Sequence, residues 1–269
     1  MDARRPAGRR AMIEAELDFV TFLAGRGADV ASAVPSRGGS RIETIDTPHG
    51  AVHAAAFNEV HGTLARWGTD AENRKILFER GAALGRLHRI AQSYRPPPGR
   101  PTRVHWWQDD LFASPQKYFP PSEQAARREY QDLAKWMLAR PRLPENYGMV
   151  HGDFGTFNTL RRDGTLVAYD FDDCCFHWYA YDIAVSLRSA RKLPEHYRKS
   201  YTRVVLEGYA TEKDLCDDGP ETIDRFARLA SLYRFVASLR TFGRDNLEPE
   251  QQAVLDERRQ VLASPPKYC

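Results

Sequence analysis

The stretch "HGDFGTFN", His151 to Asn158, is followed eight residues later by "LVAYDFDD", Leu166 to Asp173. Each follows or contains an apolar run that ends in acid, and "RRDG" at 161–164 stands between them. The pattern predicts two short strands joined by a turn. If the strands pair, Asn158 at the end of one approach and Asp170 at the start of the next lie at a common edge. Acid clusters at strand ends are often only solvated turns, and either stretch alone would carry no more than that.

Taken together the two stretches read differently. His, Asp and Asn at positions 1, 3 and 8 of the first have the spacing of a phosphotransferase catalytic loop, in which Asp accepts a hydroxyl proton and Asn binds magnesium. Gly152 stands where protein kinases carry Arg. In the second stretch Asp170 precedes Phe171, as in the D-F-G segment whose Asp holds the bridging metal. Two other chemistries compete. A strand running into D-x-D is also how haloacid-dehalogenase-type phosphatases present a nucleophile, here Asp170 with Asp172 as acid. That reading leaves "HGDFGTFN" without a task and lacks later strands for a doubly wound sheet. A metal-dependent hydrolase built on His151, Asp153, Asp170 and His177 has suitable donors but no helical H-E-x-x-H spacing.

Around this centre the chain reads as α+β. Ile13, Glu16, Leu17, Val20 and Leu23 recur at helical spacing until "GRG" at 25–27. "RIETI" and "AVHAAAF", separated by "DTPHG", predict two strands and a turn. A long helix is expected over 71–94, with Leu77, Leu84, Leu87 and Ala91 on one face. Gly81 and Gly85 on that helix invite close approach by another backbone. Helices are further expected over 122–139, 178–190, 194–210, 220–242 and 249–262, with Pro220 and Pro249 in first turns. His88, on an apolar helix, reads as a satisfied core histidine.

Composition bounds the partners. The 269 residues are 42% hydrophobic and 28% charged, enough apolar mass for a substantial core. A net charge of +3 gives no broad field for nucleic acid, and the early Arg4, Arg5, Arg9 and Arg10 read as a solvated basic cluster. No long apolar run predicts a signal peptide or membrane span. Cys174, Cys175, Cys216 and Cys269 form no disulfide framework, so a reducing cytoplasm is expected. Nothing in the sequence speaks to oligomeric state.

The run "MVHGDFGTFN … LVAYDFDDCCFHWYAYDIAVSL", with "GAALGRLHRIAQSY" upstream, resembles the catalytic core of the aminoglycoside phosphotransferase and choline kinase family. The flavour is that of its bacterial branch with homoserine-kinase-like and stress-response-kinase-like members, and the likeness extends from about Ile13 to Leu262. The resemblance implies a protein-kinase-like fold, with residues 1–60 as a reduced nucleotide lobe and hinge and 61–269 as a helical lobe. It implies ATP and Mg2+ as cofactors and a hydroxyl of a small molecule, aminoglycoside-, choline- or homoserine-like, as acceptor. By position it makes Asp153 the catalytic base, Asn158 and Asp170 the magnesium ligands, and His151 a brace for the loop. Asp182 in "YDIA" would hold that loop from behind. Asp172 and Asp173 would face the substrate or only solvate the segment. Glu16 would pair with the nucleotide-lobe lysine, and Phe57, Asn58, Glu59 and Val60 would form the linker that meets adenine.

One departure is plain. The family's phosphate-covering loop and lysine strand precede the helix that carries Glu16, yet only fifteen residues stand before Glu16 here and none is lysine. The expectation is a truncated reading frame or shortened relative with marginal ATP affinity. A pseudokinase or binding scaffold, and a stress-response-type protein Ser/Thr kinase, stand as alternatives. The acidic "TEKDLCDDGPE" at 211–221 would either draw a cationic substrate or be a solvated inter-helix loop. The aromatic "FHWYAY" at 176–181 would line a pocket or pack in the core.

Overall fold

The computed structural model describes residues 6–216, 219–243 and 247–263. In chain order the elements are α1 (Pro6–Ala24), β1 (Ala33–Val34), β2 (Glu43–Thr47), β3 (Gly50–Ala54), β4 (Ala56–Phe57), β5 (Thr63–Leu64) and α2 (Asp70–Ala91). There follow α3 (Asp110–Ala113), α4 (Gln124–Ala139), β6 (Tyr147–Val150), β7 (Thr159–Arg162), β8 (Thr165–Ala168) and β9 (Cys175–Trp178). Helices α5 (Tyr179–Ser186), α6 (Glu195–Ala210), α7 (Pro220–Phe242) and α8 (Pro249–Ala263) complete the chain. The architecture is α+β: small sheets at one side and a helical body.

Helix α2 is the spine. Its start is fixed by a capping box, in which Glu72 N donates to Thr69 Oγ1 at 3.4 Å and Thr69 N donates to Glu72 Oε2 at 2.8 Å. It buries Leu77, Leu84 and Leu87 and lies against α6. Glycines permit that contact at backbone distance. A Cβ on Gly81 would stand 2.0 Å from the Val205 carbonyl oxygen, and one on Gly208 would stand 2.1 Å from that of Phe78. The close approach expected of Gly81 is therefore present, and α6 reciprocates it.

The central hairpin forms as the sequence suggests. Thr159 pairs with Ala168 and Arg162 with Thr165. Asp163 and Gly164, both at positive φ, make the two-residue turn. The strand before His151 behaves differently from expectation. β6 pairs antiparallel with β9, not with the hairpin. The segment 175–178, of which only Trp178 falls in the helix expected over 178–190, is a strand here, because its carbonyls and amides complete β6.

Two further elements depart from the sequence reading. "AVHAAAF" is interrupted at Ala55: β3 pairs with β2, and β4 pairs with β1. The helix expected over 178–190 ends at Ser186, and a 3-10 segment runs from Arg188 to Lys192. The β2–β3 ribbon is a two-stranded sheet on its own, with Ile45 and Val52 each more than half exposed. Among the described residues no helix is long and apolar enough to cross a membrane. Cys269 and residues 217–218 of the acidic loop lie outside the described residues. The loop's Glu212 is engaged structurally, pairing with Arg86 at 2.8 Å and Arg89 at 3.0 Å. The aromatic run 176–181 belongs mainly to the core: Trp178 and Tyr179 are buried, while Tyr181 also reaches a cleft.

Candidate active site

The loop after β6 is suspended from a buried carboxylate. Asp182, in the first turn of α5, accepts from His151 N at 2.8 Å through Oδ2 and from Gly152 N at 2.9 Å through Oδ1. His88 Nε2 stands 3.1 Å from the same Oδ2, and His88 Nδ1 is 3.1 Å from the Tyr209 hydroxyl. All of Asp182 and His88 is buried. Burial by itself would push Asp182 up. The His88 hydrogen bond and the donors of His151 outweigh it and hold the carboxyl below its ordinary value. Burial drives His88 the other way, towards the neutral form. The neutral ring then donates from Nε2 to Asp182 and accepts at Nδ1 from Tyr209, so the core histidine is satisfied at both nitrogens.

Gly152 explains itself in this setting. Its φ is +87°, and a Cβ there would lie 2.3 Å from the Asp173 carbonyl oxygen. An arginine of the protein-kinase type would not fit without moving the 170–173 segment. His151 is fully buried. Its Nε2 meets the Tyr169 carbonyl at 3.1 Å, its Nδ1 accepts from Asp153 N at 3.3 Å, and its ring lies 4.3 Å from that of Phe171. It ties the two acidic stretches together and has no ring nitrogen free for chemistry.

Asp153 is partly exposed at the mouth of the loop. Asn158 Nδ2 donates to its Oδ2 at 3.0 Å and to its backbone carbonyl at 2.9 Å. On the other oxygen, Arg188 Nη1 pairs at 2.5 Å and Arg234 Nη1 stands at 3.9 Å. Behind the loop the buried Arg80 donates to the Ser186 carbonyl at 2.9 Å and to Thr156 Oγ1 at 3.2 Å, with no carboxylate among its hydrogen-bond partners in the described residues. Burial, with the like charge of Arg188 adding, pushes Arg80 down to about 10, which leaves it charged at neutral pH.

Across the hairpin, Tyr169 N donates to the Asn158 carbonyl at 3.1 Å, so the expected juxtaposition of Asn158 with the 169–170 segment is present. Asp170 has φ +63°, an uncommon conformation for a residue with a Cβ. Phe171 is buried between the His151 ring and Phe19 of α1. Arg103 spans the same segment, donating to the Cys174 carbonyl at 2.6 Å, to the Asp172 carbonyl, and to Met12 of α1 at 3.4 Å. Desolvation first, then the charges of Asp173, Asp170 and Glu16, push the Asp172 carboxyl up to about 7. Glu16 is also raised, mainly by burial, with Arg103 opposing and Asp170 adding. Among the described residues no three His, Cys, Asp or Glu side chains converge to cage a metal.

Two clefts open from this centre. One, of about 440 Å³, is lined by Glu16, Ala31, Phe57, Asn58, Val60, Leu160, Tyr169, Asp170 and Phe171. Asn58 N donates to the Ser32 carbonyl at 2.9 Å and fixes the linker. Glu59 turns outward, 3.8 Å from His61. The other cleft, of about 300 Å³, lies on the far side of Asp153, Asp172 and Asp173. Its walls include Arg103, Trp106, Asp109, Tyr233, Arg234 and Arg240, none of which the motifs indicate.

The arrangement matches a known family. The model of the phosphotransferase enzyme family matches residues 1–215. The chain belongs to the phosphotransferase enzyme family. Homoserine kinase of Caulobacter sp. (strain K31) is 30% identical over 236 residues, covering 84% of this chain and 69% of that protein. Amicoumacin kinase of Bacillus subtilis (strain 168) is 23% identical over 251 residues, covering 89% and 73%. In fold, the chain is similar to amicoumacin kinase hAmiN solved with AMP-PNP, Ca2+ and Ami. The TM-score is 0.83 at 24% identity, covering 98% of this chain and 79% of that one. The protein is thus a phosphotransferase with the kinase-like fold that its sequence resembles.

Proposed function

We propose that the chain transfers the γ-phosphate of ATP to a hydroxyl of a small molecule, with Asp153 as the base that orients and accepts from that hydroxyl. The observation that carries this reading is the clamp on Asp153. Asn158 fixes one carboxylate oxygen and the backbone beneath it, and the hairpin holds Asn158 against the 169–170 segment. Phosphoryl transfer depends mainly on alignment and charge neutralisation, so a fixed acceptor base beside metal-binding oxygens is what the reaction requires.

Asp170 and Asn158 supply oxygen donors of the hard type that a magnesium ion takes, and too few to hold one without nucleotide oxygens. A bound magnesium ion would neutralise charge on the phosphates, and it would also offset the crowding of Asp170, Asp172 and Glu16. Phe57, Asn58 and Val60, with Ala31 and Leu160, form a largely apolar slot that would take a purine base. His151 positions the loop through Tyr169 and Asp153 N. Relatives and fold neighbours whose names specify small-molecule kinases support an acceptor of that size.

The test is ADP release from ATP and magnesium over a panel of small alcohols, with Asp153→Asn beside the parent chain. Loss of a general base lowers turnover on the order of a hundredfold or more. Unfolding by urea is expected to shift little, because Asp153 sits at the cleft surface. Near-normal turnover in the variant would remove Asp153 from the chemistry.

A further inference from the structure

Helix α5 holds the loop after β6 from both of its ends. Asp182 in its first turn takes the His151 and Gly152 amides from behind. Arg188, two residues past its last turn, reaches the front of the same loop, where Nη1 pairs with Asp153 Oδ1 at 2.5 Å. The buried Arg80 ties the end of α5 to the loop, donating to the Ser186 carbonyl at 2.9 Å and to Thr156 Oγ1 at 3.2 Å. Gly155 leaves the Arg188 guanidinium its room. The Gly155 backbone, at φ −116° and ψ −179°, is in a conformation open to any residue, so the turn does not demand glycine there. Space does: a Cβ would stand 3.2 Å from Arg188 Nη2. Arg234 lies on the same side of Asp153, but its Nη1 is 3.9 Å from Oδ1, beyond hydrogen-bond reach.

Resting on the phosphotransferase reading, we infer that Arg188 is a positioning residue for the proposed base, and that Gly155 is the seat its guanidinium needs. A carboxylate on a one-carbon stem turns readily about its last bond, because that torsion has broad wells. Asn158 Nδ2 holds Oδ2 at 3.0 Å, and a contact to one oxygen does not fix the carboxylate plane. Arg188 on Oδ1 supplies the second contact, so the plane is set from both edges. An ionised carboxylate offers about four lone-pair sites, so these two donors leave room for an acceptor hydroxyl to approach. The bond from a guanidinium is charge-assisted at both ends, which makes Arg188 the firmer half of the clamp. The two side chains are 33% and 22% exposed, so solvent screens the pair and its effect falls on aim more than on fold stability. Neither the catalytic-loop spacing nor the metal segment contains this arginine.

Arg188→Met removes the donor and keeps an unbranched side chain, and Arg188→Lys keeps the charge without the fork. In the full chain without nucleotide, hydrogen exchange of the Asn158 side-chain amide, followed by NMR, reads the order of Asp153 with no reaction needed. Arg188→Met is expected to speed exchange of the proton held by Oδ2 about tenfold, the equivalent of one weakened hydrogen bond. In ADP release with the small alcohol that serves best as acceptor, kcat should fall about tenfold or more in Arg188→Met, because alignment is lost. KM for ATP and for the alcohol should stay within about twofold, since binding is untouched, and Arg188→Lys should recover part of the loss. Arg234→Met, which removes a more distant charge, should change kcat by less than about threefold. Gly155→Ala should lower kcat roughly threefold in the parent chain and leave Arg188→Met unchanged, because both act on one contact. Unchanged exchange in Arg188→Met, a fall in kcat matched by Arg234→Met, or additive effects of Gly155→Ala and Arg188→Met would each overturn the inference. Faster exchange in a chain that releases ADP with no alcohol would uphold the hold on Asp153 while removing the phosphotransfer reading.

Discussion

Replacing Asp182 by Asn isolates the support of the catalytic loop from its chemistry. The carboxylate accepts three hydrogen bonds in a fully buried place: His151 N at 2.8 Å, Gly152 N at 2.9 Å and His88 Nε2 at 3.1 Å. An Asn of the same shape keeps one acceptor. If its oxygen remains on Gly152 N, its amide group faces both His151 N and His88. The histidine can adapt, because the other tautomer accepts at Nε2 and donates from Nδ1 to Tyr209. The His151 amide cannot, and a buried donor left without a partner costs about 1–3 kcal/mol. The remaining bonds also lose their charge-assisted half. The sum is a loss of about 3 kcal/mol, within the 5–15 kcal/mol of an ordinary domain, so the variant folds. The loop it carries is no longer held in one position, and misplacement by about 1 Å is enough for a hundredfold fall in transfer. Urea unfolding and ADP release measure the two consequences. A stability change below about 0.5 kcal/mol together with full activity would refute the claim that Asp182 suspends the loop.

Acid should loosen the core through His177, which is fully buried, stacked on Tyr181 at 4.0 Å, and pushed by burial down to about 3. Its folded value lies below the unfolded value of about 6.5, so the unfolded chain binds more protons and stability falls as pH drops from 6.5 towards 3, by up to about 4 kcal/mol. Urea midpoints across that range test this, with His177→Phe expected to flatten the profile; an equal slope in the variant would assign the effect elsewhere. Magnesium titrated onto the nucleotide-free chain should give no tight binding, and Asp170→Ala should abolish the magnesium-dependent part of nucleotide binding; tight metal uptake without nucleotide would favour hydrolase chemistry instead.

The parts legible in sequence were those with a strong period or a fixed spacing. Helix α2 shows its apolar face and its packing glycines directly, and "RRDG" between two apolar runs announces the hairpin that brings Asn158 against Tyr169. The strand β9 was not legible. "CFHW" passes between core and cleft with no alternation to mark it, and its aromatic neighbours suit a helix equally well. The break at Ala55 was hidden for a similar reason, since four small or weakly patterned residues do not disclose which partner each half will choose. The arginines of the 300 Å³ cleft left no signal at all. Arg188, Arg234 and Arg240 are separated by up to 52 positions and each looks like a solvated helix charge. Only the packing of α7 across the end of α5 makes a wall of them.

That packing also divides the site into two parts with different supports. The proposed catalytic loop hangs from α5 through Asp182, is backed by α2 through His88 and Arg80, and is faced by Arg188 just beyond α5. None of these residues belongs to the first 60. The proposed nucleotide cleft draws also on the first 60 residues: Glu16 on α1, Ala31, and a linker held by the β1–β4 pair and by the bond from Asn58 N to the Ser32 carbonyl, facing Leu160, Tyr169, Asp170 and Phe171. The two sets meet at Phe171, between His151 and Phe19, and at Arg103, between Met12 and the carbonyls of 172 and 174. The small β2–β3 ribbon is exposed on both faces, and a two-stranded sheet alone is marginal in water. Residues 29–31 also join β8 directly, Ala31 N donating to the Ala168 carbonyl at 2.9 Å and Ala168 N to that of Asp29 at 2.9 Å, so it is the ribbon, and not residues 29–31, that can loosen without disturbing the loop of the proposed base. Acceptor recognition should be a property of the helical body and survive perturbation of the ribbon, whereas nucleotide affinity should follow the order of residues 31–60.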